Sequence, residues 1–446
     1  MKIALVHFRV YETDGVSLEM DKWKIALERI GHEVIYLSGS SPKKGDLYLK
    51  YLDYRSEYNN VIHENAFHEL KDFSSKREFL LYIEKYKNKI YTSLKKLIKE
   101  NNIDMIVPNN LSSLGFNIPV GMALAELDIN NDVKITYHHH DFHWERERYS
   151  HPLFIEVQEY LDEYFPYKGN ANHCVINNLA RKELKKRKNI DAYVIPNVFD
   201  FGRPPWIVDE YNQDLRSELG IKEGDIVFLQ ATRIVERKAI EIGYQVIKEI
   251  NKTISLYEGE TLYNGNIVNN ETKIHLVLAG QNELTDKKFN ILNDLLQSDS
   301  VNIHYINDIV GHSREMNEGG KIYSLWDVYT MCDFITYTSV LEGWGNQLLE
   351  GIFAMKPILV YEYPVFKSDI KKAGFSLVAI GNTLRRDRTT KLYNVAEDTT
   401  KRVATEIINI LFDGDKYFDI VGGNFDKANA NYSYDNLYLL LKDIFR

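Results

Sequence analysis

The chain has 446 residues, of which 44% are hydrophobic and 27% are charged, the composition of a folded globular protein rather than a disordered one. This length exceeds what a single hydrophobic core usually supports, so two domains are expected. The 55 basic and 64 acidic residues leave a net charge of −9. That balance argues against a nucleic-acid-binding protein, because such proteins usually carry a clustered positive excess.

The cysteines and the apolar runs bear on the cellular compartment. Cys174 and Cys332 lie far apart, and the sequence around neither shows the ligand spacing of a metal site. Residues 2–7 are apolar but too few for a signal peptide, and no segment reaches the roughly 20 apolar residues of a membrane span. We therefore expect a reduced, cytoplasmic protein without a transmembrane segment. The basic run 181–188 predicts a solvated helix face, with contact to an anionic membrane or partner as the alternative.

The first half of the chain opens with a βαβ unit. Residues 2–7 are predicted to form a buried strand, residues 18–30 an amphipathic helix that Gly31 ends, and residues 34–37 a second strand. Such a unit begins a parallel-sheet domain. Residues 43–99 are rich in Tyr and Lys and mostly helical, which we interpret as an insertion. Further strands are predicted at residues 104–108, 133–137 and 173–176.

The second half repeats the α/β pattern after a linker. Residues 196–205 are dense in turn formers, and strands and helices alternate beyond them. The predicted strands are 225–230, 274–279, 301–305, 334–337 and 357–361, and the predicted helices are 237–250 and one from 347. We expect domains at 1–203 and 204–425, and a terminal amphipathic helix within 426–446 that crosses back to the first. From two such α/β halves joined by one linker, we expect a ligand cleft between the carboxyl ends of the two sheets.

The most specific motif runs from Thr338 to Glu350 and contains two glutamates eight residues apart, Glu342 and Glu350. Gly343 and Gly345 allow the backbone to approach a ligand closely and leave N–H groups at a helix start, which suits an anion. Glu342 is expected on the loop and Glu350 in the opening turns of the helix. The two carboxylates can then bind opposite ends of an extended ligand. A capped helix with two unrelated glutamates is the alternative.

A second motif follows the strand predicted to end at Gln230. Arg233 and Lys238 are cations five residues apart at a strand's carboxyl end. This pair suits a diphosphate, because Arg offers a planar fork and Lys a point charge. Ordinary surface cations at a helix start are the alternative, although the helix dipole disfavours cations there.

Taken in order along the chain, these motifs resemble glycosyltransferase family 4, whose members share the GT-B fold of two Rossmann-like domains that face a central cleft. The resemblance spans nearly the whole length. The segments that carry it are residues 2–17, Tyr137–Asp141, Pro196–Asp200, Arg233 to Lys238, and above all Glu342 to Glu350 with the following Ala354–Val360. The chain departs from the family pattern at Gly15, which lies between Asp14 and Val16 where many members have two adjacent glycines.

The resemblance implies roles for residues of the second half. Arg233 and Lys238 would bind the diphosphate of a nucleotide-sugar donor, and Glu350 would hold its ribose hydroxyls. Glu342 would lie beside the transferred sugar. Gly15 of the first half would also be on the donor side. The residues of the loop and helix start that would hold the sugar and phosphate are Gly343, Trp344, Gly345, Asn346, Gln347 and Leu348.

The resemblance also implies a His-Asp pair in the first half. It maps best onto His140 and Asp141, with His140 near the donor sugar, although His138 and His139 leave the assignment open by up to two positions. A metal site formed by three adjacent histidines is disfavoured, because neighbouring side chains of an extended segment point in alternating directions.

The acceptor side is marked by two arginines. Arg146 and Arg148 follow the His-Asp pair and can bind an anionic acceptor together with Asp141, and residues 43–99 are a further candidate for this side. A salt-bridged helix start is the alternative.

The resemblance as a whole implies a retaining enzyme that moves a hexosyl group from a UDP- or GDP-hexose to a hydroxyl of a small molecule, glycan or lipid-linked sugar, without a metal. A GT-B sugar phosphorylase, a nucleotide-sugar epimerase and a catalytically silent sugar-nucleotide-binding protein remain as alternatives.

Overall fold

A computed structural model describes residues 1–11, 15–40, 42–317 and 320–446 of the chain. These residues form two compact units. Unit 1 comprises Met1–Val198 together with Tyr434–Arg446, and unit 2 comprises Phe199–Ser433. Each unit has its own parallel sheet and its own hydrophobic core.

Unit 1 is built around a parallel sheet of seven strands in the part of the chain that the structure describes. The strands are β1 (Lys2–His7), β2 (Glu33–Ser38), β3 (Leu47–Tyr48), β4 (Met105–Pro108), β5 (Lys134–His139), β6 (Asn172–Val175) and β7 (Tyr193–Val194). Their order in the sheet is β3-β2-β1-β4-β5-β6-β7. The helices between them are α1 (Gly15–Ile30), α2 (Glu57–Phe67), α3 (Lys76–Glu100), α4 (Ile118–Ile129), α5 (Ile155–Tyr164) and α6 (Asn178–Lys188).

The sheet of unit 1 is buried on both faces, which explains the continuous apolar sequence of its central strands. Successive side chains of a strand point to opposite faces. Ile3 and Leu5 of β1 accordingly pack in one cluster with Trp23 of α1. Ala4 and Val6 pack in the other cluster, with α3 and α4.

Residues 43–99, which we interpreted as an insertion, form part of the unit 1 core. They supply β3 at the sheet edge and then α2 and α3, which connect β3 to β4. Phe79, Ile83, Ile90 and Leu94 of α3 are fully buried. Their spacing of four and seven residues places them on one face of the helix. The segment is therefore a crossover helix layer that covers the sheet, so the interpretation as an added element is wrong.

Unit 2 repeats the arrangement around a parallel sheet with the order β10-β9-β8-β14-β15-β16. Those six strands are β8 (Ile226–Gln230), β9 (Ile274–Leu278), β10 (Asn302–Tyr305), β14 (Phe334–Tyr337), β15 (Ile358–Tyr361) and β16 (Val378–Gly381). Outside the sheet lie the short strands β11 (Val310–Gly311), β12 (Glu315–Asn317), β13 (Gly320–Ser324), β17 (Arg385–Arg386) and β18 (Tyr393–Asn394). The helices are α7 (Leu215–Glu218), α8 (Ile240–Thr253), α9 (Asp286–Leu296), α10 (Leu325–Met331), α11 (Asn346–Phe353), α12 (Glu397–Leu411) and α13 (Gly414–Tyr432).

The start of α8 differs from the prediction, which placed it at residue 237. Glu236–Lys238 form a short 3-10 turn, and Ala239 then adopts a left-handed conformation with φ 45° and ψ 53°. A left-handed residue interrupts a right-handed helix, so the regular helix begins only at Ile240.

The terminal helix α14 (Tyr434–Ile444) belongs to unit 1. Its Leu437 and Leu441 are fully buried with Trp23 of α1. The unit boundaries fall at Val198/Phe199 and Ser433/Tyr434, whereas the predicted boundaries were 203/204 and 425/426. The difference arises because Phe199 already packs on Phe353, and because α13 extends unbroken to residue 432.

The basic run at 181–188 lies on α6, where several of its charges have local partners. Arg187 bonds to Glu183 at 2.8 Å, and Lys185 bonds to Asp191 at 2.8 Å. Lys188 donates to the carbonyl oxygen of Leu161 at 3.2 Å, near the end of α5. Among the described residues, no helix has the length and apolar character needed to cross a lipid bilayer.

Candidate active site

Lys238 and Glu342, which lie far apart in the sequence, form an ion pair in unit 2. Arg237 joins them, with Nη1 2.7 Å from Glu342 Oε2 and 3.1 Å from the Leu341 carbonyl oxygen. Glu342 therefore accepts from a cation at each carboxylate oxygen. The predicted motifs at 233–238 and 342–350 thus meet at the carboxyl ends of the neighbouring strands β8 and β14. Arg237 was not predicted as a site residue, although it stands beside Lys238 in the sequence.

Backbone contacts hold these two loops together. The Val340 N–H donates to the Arg237 carbonyl oxygen at 2.8 Å, and Thr338 Oγ1 donates to the Ala239 carbonyl oxygen at 3.0 Å. Thr338 is fully buried. The left-handed Ala239 lies directly after Lys238 and so fixes how the chain leaves the site. Strained backbone of this kind persists only where the surroundings over-determine it, and it is common at functional sites.

Burial and charge act in opposite directions on the Lys238–Glu342 pair. Burial disfavours the charged form of Glu342, but the adjacent Lys238 and Arg237 outweigh it and lower the pKa of the carboxyl group. Burial lowers the pKa of Lys238, and the attraction of Glu342 offsets part of that effect. Glu342 is therefore held ionised between two cations, and both of its carboxylate oxygens are occupied by ion pairs with Lys238 and Arg237.

Arg233 lies on the same loop but is more exposed than Lys238. Its Nη1 is 2.6 Å from Oε1 of Glu283, and both side chains remain substantially exposed. The loop itself is tightly fixed, since a Cβ at Gly280 would lie 2.0 Å from the Thr232 carbonyl oxygen. The structure therefore places Arg233 at the edge of the predicted site, in contact with a partner other than Glu342.

The loop that leads into α11 depends on Gly345, which has φ 151°. A Cβ there would lie 2.6 Å from Tyr363 Oη and 3.0 Å from Tyr337 Oη. Gly345 is the N-cap of α11 and offers no side chain to cap it. Because Gly345 has no Cβ, the backbone can run close to the two tyrosines. The first N–H groups of α11 have no partner within the helix, which suits an anion.

Two buried polar side chains of this loop have no hydrogen-bond partner within the described ranges. Trp344 is 4% exposed and Gln347 is 6% exposed. The Trp344 Nε1–H and both amide atoms of Gln347 lack partners. Buried polar groups are normally paired, so such groups in a loop next to an ion pair indicate a ligand position. Leu348 is buried in the core and offers only its backbone, while Gly343 is exposed and Asn346 half-buried.

Glu350 lies on α11 and is half-buried. Its Oε2 accepts a hydrogen bond of 2.8 Å from the Tyr329 hydroxyl. Tyr329 is fully buried on α10, and burial followed by the Glu350 charge raises its pKa well above the usual value. The hydroxyl therefore stays protonated and orients the carboxylate. The two glutamates of the motif thus have different environments, cationic for Glu342 and phenolic for Glu350.

In unit 1, the three consecutive histidines differ in their surroundings. His138 is buried against Trp23, with ring centroids 4.1 Å apart, and its Nδ1 lies 2.9 Å from Asn109 Oδ1. His139 points to the other face, where its Nε2 lies 3.0 Å from Nδ1 of His173. His138 and His139 therefore pack within the core of unit 1.

His140 lies just beyond the end of β5 and is 8% exposed. Its N–H donates to Asn110 Oδ1 at 2.7 Å, and the N–H of Asp141 donates to the same atom at 3.3 Å. Asn110 itself is left-handed, with φ 57°. The next pair, Asp141 and Arg146, forms an ion pair of 2.9 Å. Of the three histidines, His140 is the one placed at the carboxyl edge of the sheet.

Two other predicted residues of unit 1 lie on surface segments. Arg148 is exposed and stacks on aromatic rings, with its guanidinium carbon 4.1 Å from the ring centroid of Phe116. Gly15 is the first residue of α1, and a Cβ there would meet nothing within 4 Å. Asp14, which we noted beside it, lies outside the described residues.

No protein-family profile matches this chain. The mannosylglucosylglycerate synthase of Petrotoga mobilis is 39% identical over 419 residues, which cover 93% of this chain and 94% of that protein. The mannosylglucosylglycerate synthase of Thermotoga maritima is 39% identical over 438 residues, which cover 98% of each chain.

Solved structures with the same fold share little sequence with this chain. A glycosyltransferase from Rickettsia africae has a TM-score of 0.59 at 12% identity, over 99% of this chain and 97% of its own. HepE from Anabaena in complex with UDP-glucose has a TM-score of 0.55 at 12% identity, over 100% and 99%. These likenesses establish the fold, and the two synthases establish the family. The chain belongs to the family of the mannosylglucosylglycerate synthases and is a glycosyltransferase with the GT-B fold.

Proposed function

We propose that this chain transfers a mannosyl group from a nucleoside diphosphate mannose to glucosylglycerate. The observation that carries the proposal is the 39% identity to a mannosylglucosylglycerate synthase over 98% of both chains. The name of that relative describes a product in which mannose, glucose and glycerate are joined. The nucleoside diphosphate of the donor is UDP or GDP, and the experiment below distinguishes the two.

The donor diphosphate is assigned to the cations at the carboxyl ends of β8 and β14. Lys238 and Arg237 already contact Glu342, and Arg233 lies on the same loop. Negative charge grows on the departing nucleoside diphosphate as the bond to the sugar breaks. Fixed cations and the N–H groups at the start of α11 stabilise that charge without having to reorganise during the reaction.

The donor's hydroxyl groups are assigned to the polar groups of the Glu342–Glu350 motif. The Glu350 carboxylate, oriented by Tyr329, would accept from the ribose hydroxyls. The buried and unpartnered atoms of Trp344 and Gln347 would bind the sugar or the phosphate. The ion pairs of Glu342 make it a charge partner that positions Lys238, rather than a nucleophile.

The proposed reaction retains the anomeric configuration. The bond between the anomeric carbon and the phosphate oxygen breaks, and a bond to an acceptor hydroxyl oxygen forms on the same face of the sugar. The hydroxyl proton passes to the released diphosphate. The proposed participants are residues of the chain, and neither a metal nor another cofactor is included. His140 is assigned to the donor sugar on the side of unit 1.

The test is to incubate the protein with GDP-mannose, UDP-mannose or UDP-glucose and glucosylglycerate, with and without a chelator. We expect one mannosyl donor to give a product in which one mannosyl group is added to glucosylglycerate, together with equimolar nucleoside diphosphate and an unchanged anomeric configuration by NMR. A parallel reaction with inorganic phosphate and the product tests for a phosphorylase. Absence of transfer from every donor would refute the function, and activity restored only by a divalent cation would refute the metal-free scheme.

A further inference from the structure

Loops from three adjacent strands of unit 1 build an aromatic cluster at the carboxyl edge of its sheet. Phe8 follows β1, Phe116 follows β4, and Tyr149 follows β5. The ring centroids of Phe8 and Phe116 are 5.6 Å apart, and those of Phe116 and Tyr149 are 6.1 Å apart. Tyr54 stacks on Phe116 at 4.8 Å. Open α/β sheets bind their ligands at this edge.

Three arginines surround this cluster. The guanidinium carbon of Arg148 lies 4.1 Å from the ring centroid of Phe116 and 4.8 Å from that of Tyr149. The guanidinium carbons of Arg9 and Arg55 each lie 5.8 Å from the ring centroid of Tyr54. We call Arg9, Tyr54, Phe116 and Arg148 the arginine patch.

Arg148 differs from the neighbouring arginines in its charge partners. Arg55 bonds to Asp53 at 3.2 Å, and the nearby Arg146 bonds to Asp141. Arg148, by contrast, has no carboxylate partner among the residues that the structure describes. Burial, and then the positive charge of the neighbouring Arg148, lower the pKa of His63 to about 4. An arginine fixed by rings and lacking a counter-ion suits an anionic ligand.

On the basis of the proposed function, we propose that Arg148, assisted by Arg9, binds the carboxylate of the acceptor's glycerate group and thereby selects a charged acceptor. Glucosylglycerate carries one ionisable group, its carboxylate, and its remaining polar groups are hydroxyls. A guanidinium is planar and presents paired N–H donors that match the two oxygens of a carboxylate. The contacts with Phe116 and Tyr149 hold the guanidinium in place, and because the Arg148 side chain is exposed, its N–H donors are accessible to a ligand.

The test compares glucosylglycerate with glucosylglycerol, in which the carboxylate is replaced by an alcohol. We expect Arg148→Ala to raise KM for glucosylglycerate about 10–100-fold, as for a lost charge-assisted hydrogen bond. The KM for glucosylglycerol should rise far less, because that acceptor has no carboxylate to lose its partner, and Arg9→Ala should show a weaker form of the same pattern. Arg148→Lys should recover only part of the loss.

Arg29→Ala is the matched control, because Arg29 also stacks on a ring, 4.6 Å from the centroid of Tyr438, in the last turn of α1 at the opposite edge of the sheet. Arg29→Ala should change neither the KM for glucosylglycerate nor the KM for glucosylglycerol. Equal losses for both acceptors, or no loss for either, in Arg148→Ala would overturn the proposal.

A binding measurement separates this proposal from the proposed function. Calorimetry with glucosylglycerate alone requires no transfer, and calorimetry with the nucleoside diphosphate reports on unit 2. Binding of glucosylglycerate that Arg148→Ala abolishes, in a protein that transfers no sugar, would support the arginine patch and refute the function. Transfer by the wild type together with unchanged acceptor affinity in Arg148→Ala would support the proposed function and refute the role of the arginine patch.

Discussion

At the scale of single residues, Lys238 is the cation that we expect to matter most. It is 8% exposed and bonds to Glu342, so its charge is fixed before any substrate binds. Lys238→Ala should lower kcat about 10²–10³-fold, the cost of removing one preorganised group that stabilises developing charge. Steady-state kinetics with the nucleotide-sugar donor measure this. The loss should fall on kcat more than on KM, because the charge on the leaving group grows only as the bond breaks.

The control for this substitution is Lys288→Ala. Lys288 pairs with Glu236 near the same loop, but its side chain is 55% exposed. Exposed ion pairs of this kind contribute little, so the kcat should remain close to that of the wild type. Comparable losses in both variants would mean that general surface charge, and not the buried pair, sustains turnover.

Sequence patterns identified candidate site residues but not their partners. The motif spacing placed Lys238 and Glu342 each at a strand-to-helix junction of the second half, and the structure brings the two side chains into contact. It could not select among the three histidines, since period-two alternation puts His138 and His140 on the same side of the strand. Packing of Trp23 over His138 distinguishes them, and Trp23 lies on a helix remote in the sequence. Arg237 was missed for the same reason, because only the fold reveals its contact with Glu342.

At the scale of elements, Gly345 connects the sheet of unit 2 to α11 through a conformation that other residues rarely adopt. Gly345→Ala should destabilise the protein by about 1–3 kcal/mol, because a Cβ at φ 151° would also meet Tyr363 Oη at 2.6 Å. It should lower activity as well, since the start of α11 would shift. Thermal unfolding and kcat measure the two effects, and Tyr363→Phe in the same chain should recover part of the stability.

Gly422→Ala provides the contrast. Gly422 lies within α13, and a Cβ there meets nothing within 4 Å. Alanine is favoured over glycine in a helix by about 1 kcal/mol, so this variant should be slightly more stable. If Gly345→Ala had the same effect as Gly422→Ala, the close approach to the tyrosines would not constrain the loop.

The element boundaries show where local sequence information is insufficient. Most strands of the two sheets could be predicted because buried strands are continuous apolar runs, whereas β3, β7 and β16, which lie at sheet edges, were not predicted. The start of α8 could not, because the left-handed turn at Ala239 is maintained by contacts with the loop after β14, such as that of Thr338. The contribution of residues 43–99 to the core of unit 1 could not be predicted from their composition either. Their many Tyr and Lys residues indicate a surface segment, whereas four apolar side chains on one face of α3 place that helix in the core.

At the scale of the whole molecule, the two units should respond differently to acid. The described part of unit 1 holds five histidines whose pKa is lowered, mainly by burial, namely His63, His138, His139, His143 and His173. In unit 2, burial similarly lowers the pKa of His275 and His304. Burial also raises the pKa of Glu241 in unit 2 to about 7, and it raises the pKa of Glu19, Asp128 and Glu145 in unit 1. These carboxyl groups have the opposite effect on stability.

The sign of the pH dependence follows from which state binds protons first. A histidine with a folded-state pKa of about 4, such as His173, takes up its proton in the unfolded chain first, near pH 6.5. Its contribution to the free energy of unfolding is therefore complete above pH 6.5 and is lost as the pH falls toward 4. Glu241 binds its proton first in the folded state, so unit 2 gains stability from it over the same range.

We therefore expect the free energy of unfolding of unit 1 to fall between pH 6.5 and pH 5, by up to about 1.4 kcal/mol per pH unit for each fully buried histidine. Urea denaturation monitored at several pH values, with hydrogen exchange to assign the transitions to units, measures this. His173→Asn keeps a polar group opposite Nε2 of His139 but cannot titrate, so its stability should depend less steeply on pH. An identical slope in the variant would contradict the assignment to His173. If unit 2 instead unfolded first on acidification, the buried histidines of unit 1 would not be the groups that limit the acid stability of this protein.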